Sequence, residues 1–276
     1  MKKVLLIITS LFGLALTINA TKFVNLTPMP KHITVAEGAY KLPESYSINA
    51  KHLPDSICVE AEKFVQTILK TTGCKARITS KKKADIEMSL DTNLPNEGYK
   101  LSVTKKKIQI SASTTSGFFY AFQTIKKIMP AHVMAGLNPE QAQAIIPTFQ
   151  TDKRPTIPCV EIYDEPRFWY RGFMLDCGRH FFTVDEIKHI LDGMAMYKMN
   201  YFHWHLTEDQ GWRFEVKKYP RLTSIGSVAS DCRMNDMEKG YYWLGKPYGP
   251  FFYTQEDCRE IVEYARSLHI EVIPEI

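Results

Sequence analysis

Polar side chains that can bind a ligand gather at the ends of three predicted strands. They are Asp176 and Arg179 after the first strand, His205 and Glu208 at the end of the second, and Glu275 at the end of the third. Because the carboxyl ends of parallel strands meet at one edge of a sheet, we expect these side chains to surround one mouth. Carboxylates and a guanidinium grip neighbouring hydroxyls with directed hydrogen bonds, so the pattern is typical of a site for a polyhydroxylated ligand.

The second strand also carries a His-x-His pair, which suggests a different chemistry. Side chains alternate along a strand, so His203 and His205 share one face while Trp204 points to the other. Two imidazoles in this arrangement can chelate one divalent ion, as at the start of a metal-dependent amidohydrolase barrel. That alternative requires further histidines and an aspartate from later strands.

Several of these polar residues also have a purely structural interpretation. Asp176 and Arg179 could form a pair that closes a loop, and His203 could be a hydrogen-bonded histidine of the core. Glu208 and Asp209 open a loop and could be solvated. The residue types alone leave both interpretations open.

The elements that position these groups follow a strand–helix–strand pattern in the second part of the chain. We predict strands over residues 170–177, 201–206 and 269–276, helices over 183–198 and 254–268, and a long loop over 207–253. Both helices open with a capping box, Thr183 with Glu186 and Thr254 with Asp257. This order of elements predicts parallel strands joined by helical crossovers.

The same pattern is typical of a (β/α)8 TIM barrel. A complete barrel needs about 250 residues, whereas residues 170–276 supply only three strands. We therefore predict that residues 166–276 form the first three strands of an incomplete barrel.

The first part of the chain, residues 22–165, has the pattern of an α+β domain. The predicted strands cover residues 32–40, 85–90, 99–103 and 108–113, with two more at 145–151 and 157–163. Helices are predicted over 56–72, ending at Gly73, and over 116–129, ending at Pro130. We expect these helices to pack on one face of a largely antiparallel sheet, and residues 131–144 to form a loop.

Composition narrows the classes of protein. Of the 276 residues, 45% are hydrophobic and 24% charged, which supplies enough apolar surface for a folded core and argues against disorder. The formal net charge of +5 is small, and the lysine runs at 81–83 and 105–107 lack interleaved aromatic residues, so we expect no nucleic-acid partner. Six cysteines without Cys-x-x-Cys spacing indicate no zinc or redox motif and allow one or two disulfides.

Residues 1–20 have the pattern of a secretory signal peptide. Two lysines precede an apolar run at residues 4–18, and the segment ends in Ile-Asn-Ala. The run is shorter than the roughly 18–20 residues that span a bilayer. We expect cleavage after Ala20, a mature protein without a membrane span, and export to the periplasm, the cell surface or the extracellular medium.

Three segments of the second part closely resemble the family 20 glycoside hydrolases, the β-N-acetylhexosaminidases. They are residues 171–182, 197–213 and 219–226, which contain Asp-Cys-Gly-Arg-His, His-Trp-His-Leu-Thr-Glu-Asp-Gln-Gly-Trp-Arg and Tyr-Pro-Arg-Leu-Thr-Ser-Ile-Gly. The resemblance runs from about residue 170 to the end of the chain. The earlier α+β part resembles the non-catalytic N-terminal domain of the family.

The resemblance implies roles for individual residues. In the family, the arginine of the Asp-x-x-Arg-His element binds ring hydroxyls of a terminal N-acetylhexosamine, and here that element is Asp176 with Arg179. His205 and Glu208 would line the same pocket, although many members carry Asp where this chain has Glu208. No metal or organic cofactor is implied. The implied partner is an oligosaccharide or glycoconjugate that ends in N-acetylhexosamine, and the oligomeric state is left open.

The resemblance also implies a mechanism. Family members remove terminal non-reducing β-linked N-acetylglucosamine or N-acetylgalactosamine, and the 2-acetamido oxygen of the substrate attacks the anomeric carbon, with net retention. A Glu protonates the leaving oxygen and an adjacent Asp orients the acetamido group. That Asp-Glu pair follows the fourth strand, beyond Ile276, so we expect the 276-residue chain alone to be inactive. The alternative from another class is a carbohydrate-binding protein without catalysis.

Overall fold

A computed structural model describes residues 24, 26–148, 154–236, 238 and 240–276. The predicted signal peptide, residues 1–20, lies outside these described residues. Among the residues that are described, no helix is both long and apolar enough to cross a membrane. A seven-stranded sheet organises the first part of the chain, and a three-stranded sheet organises the second.

The seven strands of the first part form one mixed sheet. They are β1 (His32–Lys41), β2 (Ser45–Ile48), β3 (Lys75–Ile78), β4 (Ile86–Leu90), β5 (Tyr99–Val103), β6 (Ile108–Ala112) and β7 (Thr156–Asp164), in the spatial order β1-β7-β5-β6-β4-β2-β3. Neighbours among β1, β7, β5 and β6 pair antiparallel, whereas β6, β4, β2 and β3 pair parallel. The prediction of a largely antiparallel sheet is therefore wrong, because half of the pairings are parallel.

Two short strands that the sequence analysis missed account for part of this difference. β2 and β3 have four residues each and flank the helix α1 (Asp55–Thr72). A strand–helix–strand unit pairs its strands parallel because the helix carries the chain back along the sheet. Strands of four residues offer too few alternations to stand out in a hydrophobic pattern.

The two long helices of the first part begin and end close to the predicted residues. α1 ends at Gly73, whose φ of 76° is a left-handed conformation that glycine adopts at low cost. α2 (Thr115–Ile128) follows Thr114, whose side-chain oxygen accepts a hydrogen bond from the Gly117 backbone N–H.

The segment after α2 differs from the predicted loop and strand. It contains two short helices, α3 (Ala131–Met134) and α4 (Pro139–Ile145), where residues 131–144 were expected to be a loop. α4 opens with a capping box between Asn138 and Gln141 and with proline in its first turn, which is a strong local start signal. The strand predicted at 145–151 is wrong over 145–148, because α4 ends at residue 145 and no strand follows, and residues 149–151 lie outside the described ones.

The second part contains three parallel strands joined by helices. In chain order its elements are β8 (Gly172–Asp176), α5 (Val184–Met196), β9 (Tyr201–His205), β10 (Thr207–Glu208), β11 (Gly211–Trp212), α6 (Arg221–Ser224), β12 (Arg233–Asp236), β13 (Gly240–Trp243), α7 (Gln255–Ser267) and β14 (Glu271–Glu275). The sheet order is β14-β9-β8, and both pairings are parallel. The capping boxes predicted for α5 and α7 are confirmed. The predicted long loop instead carries two small hairpins, β10–β11 and β12–β13, and the short helix α6.

One hydrophobic core runs through both parts of the chain. α2 is buried around most of its circumference, since α1 and the large sheet cover it on one side and the second part covers it on the other. The rings of Phe64 on α1 and Phe122 on α2 stack with centroids 4.6 Å apart, and Phe119 lies 4.7 Å from the ring of His269 in the second part. A helix that is buried on most of its sides is typical of a position between two layers. Within the described residues, the six cysteines form no disulfide.

A buried ion pair links the second part to the first. The Lys198 ammonium lies 2.7 Å from the Asp164 carboxylate and 2.8 Å from the Tyr99 hydroxyl. Burial lowers the pKa of the Lys198 ammonium, and the nearby Asp164 carboxylate opposes this shift. Arg171 makes a second link, with hydrogen bonds of 2.9 and 3.0 Å to the two carboxylate oxygens of Glu97.

We expect Lys198→Met to lower the free energy of unfolding by about 3–5 kcal/mol, because the substitution leaves the Asp164 carboxylate buried without its counter-charge. Urea unfolding of the purified protein measures this change. The matched control, Lys100→Met, breaks a solvent-exposed pair with Asp91 and should cost far less. Equal losses in the two variants would contradict a structural role for the buried pair.

Candidate functional site

The three parallel strands are in register where their carboxyl ends meet. Asp176 on β8 lies opposite His205 on β9, which in turn lies opposite Glu275 on β14. His203 is two residues before His205 and faces the same side, whereas Trp204 is buried against the helices on the other side, as predicted. The register therefore brings polar groups from three strands to one level of the sheet.

The guanidinium of Arg179 lies between two carboxylates that follow separate strands. Its Nη1 donates a hydrogen bond to Asp176 Oδ2 at 2.7 Å, and its Nη2 lies 2.7 Å from Glu208 Oε1. Asp176 Oδ1 also accepts the Arg179 backbone N–H at 3.0 Å. The pair thus closes the loop and also leaves the arginine side chain 52% exposed at the mouth. The structural and the ligand-binding interpretations of this pair are compatible.

Glu208 is held in place by a tight hairpin and by a close contact with a glycine. It pairs with Gly211 in the β10–β11 hairpin. A Cβ placed on Gly178 would lie 3.0 Å from Glu208 Cβ, so glycine permits the loops after β8 and β9 to approach this closely. Its neighbour Asp209 is exposed, as the structural interpretation of that residue predicted.

The two histidines share the carboxylate of Glu275. His203 Nε2 lies 2.6 Å from Glu275 Oε2, and His205 Nδ1 lies 3.3 Å from the same oxygen. On its other side, His205 Nε2 lies 3.3 Å from Glu208 Oε1 and 3.0 Å from the carbonyl oxygen of Thr207. The side chain of His203 is 34% exposed, so this histidine is partnered but does not belong to the core. The site is one connected polar network that reaches from the first strand to the third.

The His-x-His pair on which the metal-binding alternative rests contacts a carboxylate in this structure. Over the part of the chain that the structure describes, no group of three or more His, Cys, Asp or Glu side chains could hold a metal ion. His203 and His205 instead lie against the Glu275 carboxylate, which satisfies imidazole nitrogens without a metal.

The ion pair shifts the pKa values of both of its members. Partial burial alone would raise the pKa of the Asp176 carboxyl, but hydrogen bonds from the Arg179 side chain and backbone outweigh burial and lower this pKa below its ordinary value of 3.8. The hydrogen bond to Asp176 raises the pKa of the Arg179 guanidinium. The stabilisation from a carboxyl with a lowered pKa is fully present above its ordinary pKa, and it is lost as the pH falls through the lower folded-state value.

A buried arginine behind the site was not singled out from the sequence. The side chain of Arg213 is fully buried, and its guanidinium donates hydrogen bonds to backbone carbonyls, including those of Cys177 and Gly178. The signal in the sequence is its place between Trp212 and Phe214, because an arginine flanked by aromatic residues is less typical of a solvated loop.

A cavity of 630 Å³ lies away from these groups, between the two parts of the chain. Its lining includes Asp164, Arg171 and Lys198. These charged groups already bond to protein partners, so the cavity is a gap beside the link between the parts, and the candidate site is the network around Arg179.

Comparison with known proteins accounts for both parts of the chain. Residues 24–165 match the model of glycosyl hydrolase family 20, domain 2, and residues 168–276 match that of the glycosyl hydrolase family 20 catalytic domain. Both matches point to one class of protein, a glycoside hydrolase whose catalytic domain follows another domain. The chain belongs to glycosyl hydrolase family 20.

Individual relatives agree with this assignment. The chain is 38% identical over 268 residues to a beta-hexosaminidase of Porphyromonas gingivalis, which covers 92% of the chain and 30% of the relative. It is 34% identical to a beta-hexosaminidase of Vibrio furnissii, over 91% of the chain and 37% of the relative. A solved exo beta-N-acetylglucosaminidase from Vibrio harveyi, in complex with N-acetylglucosamine, superposes with a TM-score of 0.73 at 30% identity, over 91% of the chain and 36% of that structure. The chain thus spans about a third of the length of these relatives.

We expect an NMR titration to give a pKa below 3.8 for Asp176 in the wild-type protein and a higher pKa in the Arg179→Ala variant. The variant lacks the guanidinium that lowers this pKa, whereas the burial that raises it remains. Asp91 is the internal control, since its partner is Lys100 in the first part of the chain, and it should titrate alike in both proteins. An Asp176 pKa that does not move on loss of the arginine would show that the ion pair does not form in solution.

Proposed function

We propose that this chain forms the sugar-binding side of an exo-acting β-N-acetylhexosaminidase. The enzyme removes terminal non-reducing β-linked N-acetylglucosamine or N-acetylgalactosamine by substrate-assisted, retaining catalysis. The observation that carries the proposal is the Arg179 guanidinium held between Asp176 and Glu208 at the mouth of parallel strands. Relatives named beta-hexosaminidase support it, as does the similar structure with N-acetylglucosamine bound.

The site has the donors and acceptors that a pyranose needs. A guanidinium carries five N–H donors, and the two carboxylates engage only some of those on Arg179. The remaining donors can bind ring hydroxyls, while Asp176 and Glu208 accept hydrogen bonds from the same hydroxyls. His205 holds Glu208 from behind, so the longer Glu in place of Asp stays directed at Arg179.

The remaining groups of the reaction come from outside the described network. The acetamido oxygen of the substrate supplies the nucleophile, and an adjacent Asp-Glu pair orients the acetamido group and protonates the leaving oxygen. We place that pair on a fourth strand of a (β/α)8 barrel, of which β8, β9 and β14 are the first three. No residue from Glu208, Asp209 and Glu275 takes over either role.

We also propose that the protein is exported, because its proposed substrates, glycans and glycoconjugates that end in N-acetylhexosamine, occur outside the cytoplasm. Residues 1–20 direct secretion, and the exported protein begins at Thr21. N-terminal sequencing of the protein recovered outside the cytoplasm tests this, and recovery of an intact Met1 terminus in the cytoplasm alone would contradict it.

The complete gene product provides the test of activity, with two chromogenic substrates that share a leaving group. We expect it to hydrolyse the N-acetyl-β-glucosaminide and not the β-glucoside, since only the former carries the attacking acetamido oxygen. Equal rates on the two substrates would contradict the mechanism. Binding of N-acetylglucosamine without hydrolysis would favour a carbohydrate-binding protein, and hydrolysis by the 276-residue chain alone would show that the catalytic pair is wrongly placed.

We expect Arg179→Ala in the complete gene product to raise KM about tenfold to a hundredfold, because the variant loses charge-assisted hydrogen bonds to the sugar. The melting temperature should stay within about 2 °C of wild type, since the side chain is half exposed. Arg259→Ala, at an exposed arginine on α7, is the matched control and should leave KM unchanged. If KM and kcat of the Arg179→Ala variant equal those of the wild type, Arg179 does not bind the sugar.

A further inference from the structure

Arg213 joins three separate segments of backbone behind the candidate site. Its Nε donates to the Cys177 carbonyl at 3.1 Å and its Nη2 to the Gly178 carbonyl at 3.0 Å. Its Nη1 donates to the Ser227 carbonyl at 2.7 Å and to the Phe251 carbonyl at 2.9 Å. The guanidinium is fully buried, and each of these four acceptors is a neutral backbone oxygen.

Stability alone does not explain a cation at this position. Burying a charge without a carboxylate partner is unfavourable, and apolar side chains of similar volume often stabilise such a core as well or better. A guanidinium differs from an apolar group in its rigid planar fork, which fixes the directions of several acceptors at once. Lysine, with its donors on one atom, cannot reach acceptors spread around a plane in this way.

The acceptors connect Arg213 directly to the residues that bind the candidate sugar. Cys177 and Gly178 are the two residues between Asp176 and Arg179. Their carbonyls turn inward to Arg213, while the Arg179 side chain that follows them turns outward to Glu208.

The main chain of Arg213 and a nearby glycine strengthen this connection. The Arg213 backbone N–H donates to the Leu206 carbonyl at 2.9 Å, just after the end of β9. A Cβ on Gly211 would lie 2.2 Å from Arg213 Nη2, so the hairpin that carries Glu208 leaves room for the guanidinium. The loops after β8 and β9 thus meet at this one side chain.

We propose that Arg213 is a positioning residue, which holds the Cys177–Gly178 backbone so that the Arg179 guanidinium faces the sugar and Glu208. Arg213 itself does not contact substrate. This role rests on the proposed function, because it acts through the residue assigned there to bind the sugar.

A double-mutant cycle in the complete gene product tests this role, with the N-acetyl-β-glucosaminide as substrate. The variants are Arg213→Lys and Arg213→Gln, each in the wild-type and the Arg179→Ala backgrounds, and Arg259→Lys is the exposed control. With Arg179 present, we expect either Arg213 variant to raise KM about tenfold to a hundredfold, since small displacements of a binding group weaken it strongly. In the Arg179→Ala background the same change should alter KM less than about twofold, because the two residues act as one unit.

Equal fold-changes in the two backgrounds, or no change in either, would overturn the positioning role. If Arg213→Lys does not fold, the cycle is carried out with Arg213→Gln, because glutamine keeps an N–H donor and buries no charge. Hydrogen exchange of the Arg179 backbone amide gives a second readout that needs no activity. We expect the Arg213 variants to accelerate this exchange at least about tenfold and Arg259→Lys to leave it unchanged.

The two readouts separate failure of this proposal from failure of the proposed function. A wild-type protein that neither hydrolyses nor binds the N-acetylglucosaminide overturns the proposed function, and the exchange of the Arg179 amide then still decides whether Arg213 holds the loop. Unchanged exchange in both Arg213 variants overturns the positioning role, whatever the activity.

Discussion

The parallel register of β8, β9 and β14 is the constraint on which the site depends. It places Asp176, His205 and Glu275 in one row across three strands, on the face opposite the helices. Because side chains on a strand alternate, a shift of one residue in either pairing would turn the polar row into the apolar layer that now holds Trp204. Burial of Trp204 and Phe202 in the core therefore helps to determine which face of the sheet carries the polar row.

Two buried cations support this arrangement in different ways. Lys198 has a carboxylate partner, Asp164, and joins the second part of the chain to the first. Arg213 donates hydrogen bonds to four backbone carbonyl oxygens, lies over the ring of Tyr248, and joins loops within the second part. Arg179, by contrast, is half exposed and has two carboxylates beside it, so its donors remain available to a ligand. The two buried cations bond to groups of the protein, whereas the exposed guanidinium of Arg179 keeps donors that face the solvent.

Local chemistry explains how much of the fold could be predicted from the sequence. The helices α5 and α7 have strong amphipathic stripes and capping boxes, and the long strands alternate clearly, so their positions follow from nearby residues. β2 and β3 are stabilised by pairing with neighbours that are distant in sequence, and four residues carry little pattern of their own. The helix α4 lies where a loop is predicted, although its capping box is a local signal, because seven residues give too few helical turns for an apolar stripe to stand out.

In the candidate site, too, some residues can be predicted from the sequence and one cannot. Asp176, Arg179, His205 and Glu208 could be grouped in advance because parallel strands bring their carboxyl ends together whatever the loops between them do. Arg213 could not, because its acceptors lie up to 38 residues away in sequence, and only the folded loops bring them around one guanidinium.

A crystal structure of the complete gene product with N-acetylglucosamine bound tests the central claim most directly. We expect ring hydroxyl oxygens within about 3 Å of the Arg179 guanidinium, with Asp176 and Glu208 still beside it. A sugar bound elsewhere, or an Arg179 side chain turned away from Glu208 and from the sugar, would contradict it.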